Sequence, residues 1–569
     1  MKIGEVEKIT GLTAKAIRLY EKKSLICVDR TDSDYRDYSE KDVEVLKAIK
    51  SFRLAGIGLS RIKLWADGIV SYDELLKQRL AEIDRESEMS EEMYRLCKNL
   101  LSHGELSDDS PSIFDETEVK SERENSGKLL LGIDIGTTTV SASVSTEDGT
   151  QLEAYNILSD SAVMGDTFSK EQNAHLIADK TLKMIDSLLG IYPGICAIGL
   201  SGQMHGILYV DKDGNAVSSL YTWQDERGNE PYGNGRTYAE EVTAQTGIPV
   251  STGYGLVTHF YNMKNDLVPK DAVNICTIMD YVAMRLCGIR SPLVHLSNAA
   301  SFGLFDVKNG CFDKSALKKI GIDGKILPEI TGESKIAGFY RGDITVSVAI
   351  GDNQASFLGS VDDEKQSILV NYGTGSQISF VSGGNLPCDG NSPLGNMELR
   401  PFTDGRFLLC GAALCGGRAY AMLEQFFRAY LKEAGFEAKK QYSVMNALAL
   451  DMLGNEKSDL PKVDTRFCGT RQNPDLKGSI TELGEASFTP AAFVTGVLYG
   501  MANELYEMYE KAGKPQFTRL VASGNAVRKN EALRIVLTKV FGVTPEIPDI
   551  KEEAAYGAAK FAKKCTERM

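Results

Sequence analysis

Three glycine-rich segments with hydroxyl side chains are spaced along this chain: Gly132-Ile133-Asp134-Ile135-Gly136-Thr137-Thr138-Thr139, Asn371-Tyr372-Gly373-Thr374-Gly375-Ser376 and Ala522-Ser523-Gly524-Asn525. Glycine lets a backbone approach a ligand closely, and backbone N–H groups beside Thr or Ser hydroxyls make donors for phosphate oxygens. One such loop alone serves equally as a plain hairpin turn. Two in series point to two similar lobes closing on one nucleotide. A further segment, Gly351-Asp352-Asn353-Gln354, puts a carboxylate behind the apolar run Val346–Ile350. Such a group either caps the following helix or takes the proton from an attacking hydroxyl. Ser201-Gly202-Gln203-Met204-His205-Gly206 and Tyr221-Thr222-Trp223-Gln224-Asp225-Glu226-Arg227 carry donors and acceptors suited to a polyol. His205 taken alone reads equally well as a satisfied buried histidine.

These residues need strands that end where they begin. Leu129-Leu130-Leu131 precedes the first loop, Ser367-Ile368-Leu369-Val370 the second, and Ile195–Leu200 the Gln-Met-His-Gly segment. Each reads as a strand that turns at glycine and presents polar groups at its carboxyl end, where α/β folds place ligands. Gly416-Gly417 opens a helix. The small residues of Glu552-Glu553-Ala554-Ala555-Tyr556-Gly557-Ala558-Ala559 read as close helix packing.

The chain's 569 residues are too many for one core and suggest roughly three to four domains. No run of 18 apolar residues predicts a membrane span. Met1-Lys2-Ile3-Gly4-Glu5 has no apolar signal segment, which predicts a cytoplasmic protein. The 11 cysteines form no Cys-x-x-Cys pair and the 5 histidines no cluster, so buried thiols are expected rather than a zinc site or disulfides. The net charge is −14, yet residues 1–63 hold 14 Lys and Arg against 10 Asp and Glu. The basic surplus lies at the N-terminal end, where a polyanion could be met.

There, Ile3, Val6, Ile9 and Leu12 recur at helical spacing up to Gly11, and Thr13 is a fitting cap for a second helix, Ala14 to Lys22. Helix, tight turn and helix is the helix-turn-helix plan. A polar hairpin, Asp29 to Tyr38, follows, then helices Ser39–Leu54 and Ser60–Ala66. Residues 73–101, with Leu75, Leu76, Leu80, Ile83, Met93, Leu96 and Leu100, continue as a charged amphipathic helix. That helix either pairs two chains or packs on the chain's own later lobes. Residues 104–127 are acidic and polar, as a linker is.

Ile3-Gly4-Glu5-Val6, Ala16-Ile17-Arg18-Leu19-Tyr20-Glu21 and Tyr35-Arg36-Asp37-Tyr38-Ser39 resemble MerR-type winged-helix regulators over about residues 1–70. The resemblance implies binding of double-stranded DNA at a promoter through Lys15, Arg18, Tyr20, Arg36 and Tyr38, and a homodimer held by the 73–101 helix. A winged helix that binds protein instead remains the alternative.

Residues 128 to about 562 resemble the sugar-kinase, Hsp70 and actin superfamily, and within it the FGGY carbohydrate kinases. The implied fold is α/β, two ribonuclease-H-like lobes with a cleft. The implied chemistry uses ATP and Mg²⁺. Asp352 would be the catalytic base, with Asn353 beside it. Gln203, Met204, His205, Asp225, Arg227 and Tyr254 would line the sugar pocket. Gly136, Thr137, Thr138, Thr139, Gly373, Thr374, Gly375, Gly417, Gly524, Asn525 and Asn530 would hold the nucleotide, and Asp134 the metal through water. Many members place Lys or Arg shortly after the first loop; here that position is Ser141. Thr222-Trp223-Gln224-Asp225, Asn298-Ala299-Ala300-Ser301-Phe302-Gly303 and Phe467-Cys468-Gly469-Thr470-Arg471-Gln472-Asn473-Pro474 are similar to sedoheptulokinases, which implies a ketose phosphorylated at its terminal hydroxyl.

The expected layout is a DNA-binding domain at 1–70, a dimerisation helix at 71–103, a linker at 104–127, and kinase lobes at 128–345 and 346–569. The alternatives are a sugar- or nucleotide-sensing regulator with little turnover, a kinase of another ketose or polyol (xylulose, ribulose or glycerol), and a kinase whose N-terminal helices only dimerise.

Overall fold

The computed structural model describes residues 1–30, 35–83, 98, 127–163, 167–382, 397–437, 439–455, 459–470, 473 and 475–569. Among the described residues no helix is long and apolar enough to cross a membrane.

The N-terminal module consists of α1 (Ile3–Thr10), α2 (Ala14–Lys22), the two-residue strands β1 (Asp29–Arg30) and β2 (Arg36–Asp37), α3 (Glu40–Leu54), α4 (Leu59–Ala66) and α5 (Tyr72–Ile83). Its boundaries follow local chemistry. Gly11 ends α1 in the left-handed region at φ 66°. The Thr13 side chain accepts from Ala16 N to start α2, and Ser39 with Asp42 forms a capping box for α3. Residues 31–34 of the hairpin tip, nearly all of 84–101 and the linker to 126 lie outside the described residues.

The first of two α/β lobes is built on β3 (Leu129–Ile135), β4 (Thr139–Thr146), β5 (Gln151–Leu158), helix α6 (Ala174–Ile191), β6 (Ile195–Gly202), β7 (Ile336–Tyr340), β8 (Ile344–Ser347) and β9 (Ile350–Gly351), followed by α7 (Asp352–Ser360). The sheet order is β7-β8-β6-β3-β4-β5, with β9 also on β6. The second lobe holds β10 (Ser367–Tyr372), β11 (Ser376–Val381), β12 (Met397–Pro401), β13 (Phe407–Ala413), α8 (Gly416–Glu433), β14 (Arg519–Ser523) and β15 (Pro545–Glu546). Its order is β12-β13-β11-β10-β14-β15. The plan is repeated. In each lobe a central strand, β3 or β10, pairs antiparallel with its hairpin partner and parallel with a later strand, β6 or β14. This is the expected pair of ribonuclease-H-like lobes.

The last helix, α9 (Glu553–Thr566), packs on the first sheet. A Cβ on Gly132 would lie 1.8 Å from the Ala555 carbonyl oxygen, so no other residue fits that central strand position without moving the helix. Together α7 and α9 place material from beyond residue 345 on the first lobe. The small residues read as a packing stripe do pack, across the expected domain boundary.

The N-terminal module is seated on the first lobe along its free edge strand, β5. Arg61 Nη2 donates to Ala154 O at 3.4 Å, Gln78 Nε2 to Asn156 O at 2.7 Å, and Leu158 N to Glu74 Oε1 at 2.9 Å. Ser187 of α6 donates to Asp67. Side chains of α4 and α5 thus occupy groups of an edge strand that would otherwise be unpaired. Buried residues of the module and of the first lobe form one apolar cluster. Of the two expectations for the 73–101 helix, the described part, α5, packs on the chain's own kinase lobe.

Candidate active site and DNA-facing surface

Three strand ends meet in the first lobe. Asp134 on β3 is opposite Ser201 on β6, and Gly351 on β9 is opposite Gly202. Asp134 near the end of β3 and Asp352 just after β9 thus lie at the carboxyl ends of the strands that flank β6, close enough for their charges to interact. Ser201 Oγ donates to Asp134 Oδ1 at 3.0 Å. Burial, and then the nearby Asp352 carboxylate, push Asp134 up to about 7. Burial also raises Asp352, opposed by Arg400 and by Asn353, whose N and Nδ2 donate to it at 2.7 and 2.8 Å. Two crowded carboxylates with raised pKa values favour a proton or a hard cation between them. Among the described residues no group of three or more His, Cys, Asp and Glu could hold a metal. The donor set fits Mg²⁺ held by one or two carboxylates, with phosphate and water completing its shell.

Ser141 lies opposite Asp134 on β4 and is buried. Asn156 Nδ2 donates to Ser141 Oγ at 3.3 Å and to Glu552 Oε1 at 3.2 Å. The position expected to carry a cation thus sits in a Ser-Asn-Glu network. A cation does approach from elsewhere. Arg400 on β12 pairs with Glu398 at 2.6 Å and bears on Asp352, and its Nη1 is buried with no hydrogen-bond partner. Gln354 Nε2 donates to Pro401 O at 2.9 Å, tying this strand to α7. Sequence reading missed Arg400 because no motif surrounds it.

The two hairpins are closed by their own backbones. In the first, Gly136 N donates to Thr139 O at 2.9 Å and Ser159 N to Thr138 O at 2.8 Å. The Thr137 hydroxyl is engaged on the sugar side: it donates to Gln203 Oε1 at 3.3 Å and accepts from Trp223 Nε1 at 3.0 Å. In the second, Gly417 N and Arg418 N, at the start of α8, each donate at 3.0 Å to Gly373 O and Thr374 O. Thr374 is exposed, and its hydroxyl makes no hydrogen bond among the described residues. Asn371 Nδ2 donates to Ser523 Oγ at 2.8 Å, joining the second hairpin to the third glycine segment. A Cβ on Gly524, at φ 94°, would lie 2.4 Å from Tyr372 O, so this turn requires glycine. Asn525 beside it is exposed. Asn530 is buried and caps the next helix, its Oδ1 accepting from Leu533 N at 3.0 Å.

On the sugar side, His205 holds a left-handed conformation at φ 70°, costly for a residue with a side chain and characteristic of functional sites. Its N donates to Ser301 Oγ at 3.0 Å, its Nδ1 is 2.8 Å from Ser301 O, and its ring stacks on Tyr254 at 4.8 Å. Asn353 Nδ2 approaches Met204 Sδ at 3.9 Å. Gln203, Met204, His205, Tyr254, Asp352 and Asn353 are thereby brought together. Asp225 and Arg227 hold each other. Asp225 is fully buried and accepts from Arg227 Nε at 2.6 Å and Nη2 at 3.1 Å. Arg227 Nη1 donates to Asn262 at 2.5 Å and Nη2 to Glu171 at 2.9 Å. Each guanidinium nitrogen is occupied, so the pair braces the pocket wall, and breaking a buried pair is costly. Trp223, Gln224 and Glu226 are the exposed members of that segment, and Trp223 lies beside Thr137. Arg471, Gln472 and Pro474 lie outside the described residues.

On the N-terminal module, Lys15 and Arg18 are exposed on α2. Arg36 Nε donates to Glu21 Oε2 at 2.5 Å, tying the hairpin to α2. Tyr20 and Tyr38 are core residues, 4% and 1% accessible, and their rings fill the interior of the module.

Comparison with known proteins agrees with this geometry. The model of the FGGY family of carbohydrate kinases, N-terminal domain, matches residues 129–368, and that of its C-terminal domain 368–564. The model of the MerR HTH family regulatory protein matches residues 1–69. Sedoheptulokinase of Mus musculus is 27% identical over 471 residues, 76% of this chain and 96% of the relative. Sedoheptulokinase of Homo sapiens is 25% identical over 475 residues, with the same coverage. The structure of a xylulose kinase from Brucella ovis superposes with TM-score 0.64 at 21% identity, over 78% of this chain and 91% of that one. Gluconate kinase from Lactobacillus acidophilus gives 0.65 at 19%, over 78% and 90%. The chain belongs to the FGGY family of carbohydrate kinases and carries a MerR-type helix-turn-helix domain at its N-terminal end.

Proposed function

We propose that this chain transfers the γ-phosphoryl group of ATP to the terminal hydroxyl of a ketose, sedoheptulose first among candidates. The observation that carries the reading is Asp352, set beside Asp134 and within reach of the residues gathered around His205. Asp352 takes the hydroxyl proton as the sugar oxygen forms a bond to the γ-phosphorus, while the bond from that phosphorus to the ADP oxygen breaks. Arg400 favours the ionised form that can accept the proton. The Thr374 hydroxyl and the backbone of both hairpins orient the phosphates. Mg²⁺, held by Asp134, supplies charge neutralisation on the phosphate oxygens when bound. Sedoheptulose is favoured over xylulose, ribulose and glycerol by the two sedoheptulokinase relatives and by the Asn298–Gly303 segment, whose Ser301 fixes His205.

The N-terminal module binds duplex DNA through Lys15, Arg18 and Arg36, as a homodimer, in the cytoplasm. Its support is the basic surplus and the family match. A second reading, a sensor of sugar or nucleotide with little turnover, is favoured by one observation, the buried Ser141 where relatives place a cation. Sugar-dependent ADP release, measured across sedoheptulose, xylulose, ribulose and glycerol, separates the two. Release with one ketose supports the kinase. Occupied sites without release support the sensor.

A further inference from the structure

A groove of about 490 Å³ runs along the seam between the N-terminal module and the first kinase lobe, walled by the end of α2 with the turn after it, by α4, and by α6. Lys22, Lys23, Lys63 and Lys183 line it, against Asp67 and Asp186. Both acids are already engaged. Asp67 accepts from Lys63 Nζ and Ser187 Oγ. Asp186 accepts from the Tyr340 hydroxyl at 2.6 Å and from Arg341 at 2.7 Å. Lys22 and Lys183 are exposed and have no ion-pair partner among the described residues. They come from different modules. Two unpaired ammonium groups therefore line one groove from opposite sides of a docking seam, in a chain whose net charge is −14. Like charges across a seam oppose docking, and an anion lodged between them turns that repulsion into attraction on both sides. The volume falls within the range of small-molecule sites and exceeds what a bare phosphate ion fills.

We propose that this groove binds a small phosphate-bearing anion of carbohydrate size, and that its occupancy clamps the N-terminal module onto the kinase lobe. Lys22 and Lys183 grip the phosphate from the two modules. A phosphorylated ketose, the product of the proposed reaction, is the ligand of this class that the chain itself would supply. Only that choice of source rests on the kinase reading, because the groove and its charges are independent of turnover. The site lies at the last turn of α2, so the clamp would set the position of the helix offered to DNA.

The test is calorimetric titration of the full chain with a ketose phosphate, inorganic phosphate and ATP in separate arms. Three proteins are compared: the unmodified chain, Lys22→Gln/Lys183→Gln, and the charge-keeping Lys22→Arg/Lys183→Arg. Ketose phosphate is expected to bind the Gln pair at least tenfold more weakly than the unmodified chain, with the Arg pair within threefold and the KM for ATP unchanged in both. A parallel loss for inorganic phosphate would assign the phosphate group alone as the determinant, and a loss confined to ATP would assign a nucleotide. Equal affinity of the Gln pair and the unmodified chain in every arm would overturn the proposal. So would an Arg pair as weak as the Gln pair. A chain that binds in these titrations yet releases no ADP keeps this site while removing the kinase reading, so the two failures are distinguishable.

Discussion

The two kinase lobes repeat one strand plan yet load their phosphate hairpins differently. In the first, Thr137 is held by Gln203 and Trp223, so the hairpin is wired to the sugar-side segments. In the second, Thr374 is exposed, and backbone bonds tie the loop to α8. On the proposed kinase reading, the first hairpin would link sugar and nucleotide, and the second would contact the nucleotide alone. Duplicated architecture therefore does not mean duplicated roles. The first lobe is also the one with outside attachments: α9 beneath its sheet and the N-terminal module along its edge strand.

The largest effect expected from breaking this contrast is at Gly132. Gly132→Val drives a side chain into the backbone of α9, and overpacking of this kind typically costs about 1–3 kcal/mol or more. A large drop in melting temperature is expected by circular dichroism. Gly405→Ala, at a turn with open space around it, is the control, although its φ of 70° makes it mildly strained. An unchanged melt for Gly132→Val would mean that α9 is not seated as described.

The hairpins come next. Thr374→Val removes a donor aimed outward and should weaken ATP binding by about 0.5–1.5 kcal/mol, roughly twofold to twelvefold, with sugar affinity kept. Thr137→Val removes two side-chain hydrogen bonds that reach the sugar-side segments, so both ligands should weaken. Identical binding profiles for the two variants, measured by calorimetry, would erase the difference between the lobes.

An effect of pH is expected as well. Burial raises Asp280, beneath the first lobe's site, from 3.8 to about 7. The folded chain keeps this proton where the unfolded chain has lost it, so the contribution to stability is full below pH 3.8 and is lost as pH rises towards 7. Asp280→Asn removes that dependence. Denaturant titrations should show the variant gaining on the unmodified chain by on the order of 1 kcal/mol per pH unit across that window. A constant difference from pH 4 to 7 would show that Asp280 titrates normally.

The smallest is on the N-terminal module. Arg18→Ala should weaken DNA binding about equally across sequences and reduce the salt dependence by roughly one phosphate contact. Tyr38→Phe should leave affinity unchanged, because that ring is in the core. A salt slope the same as that of the unmodified chain would take Arg18 off the phosphates.

Much of this molecule is legible in its sequence wherever structure is set locally. Gly11, Thr13 and Ser39 bound helices through their own φ angles and side-chain caps. The strand-glycine-polar pattern places Asp134, His205 and Asp352 at strand ends, because an apolar run followed by glycine has few other uses. What stays hidden depends on distant partners. Nothing near Arg227 in sequence shows that Asn262 and Glu171 will occupy its guanidinium. Arg400 reaches Asp352 only because β12 folds back against α7. Tyr20 and Tyr38 look surface-directed in a basic segment, yet the core of a small module needs large rings. The seat of α5 on β5 also escapes local reading, since an amphipathic stripe does not say whether a second chain or the same chain will cover it.

The most direct test of the account is Asp352→Asn in a quenched single-turnover assay with ATP, Mg²⁺ and the accepted ketose, alongside calorimetric binding of both ligands. The account predicts phosphoryl transfer slowed by roughly 10²–10⁴-fold with ATP and sugar affinities within a few-fold of the unmodified chain. Transfer at a near-normal rate, with both ligands bound, would contradict the assignment of Asp352 as the base.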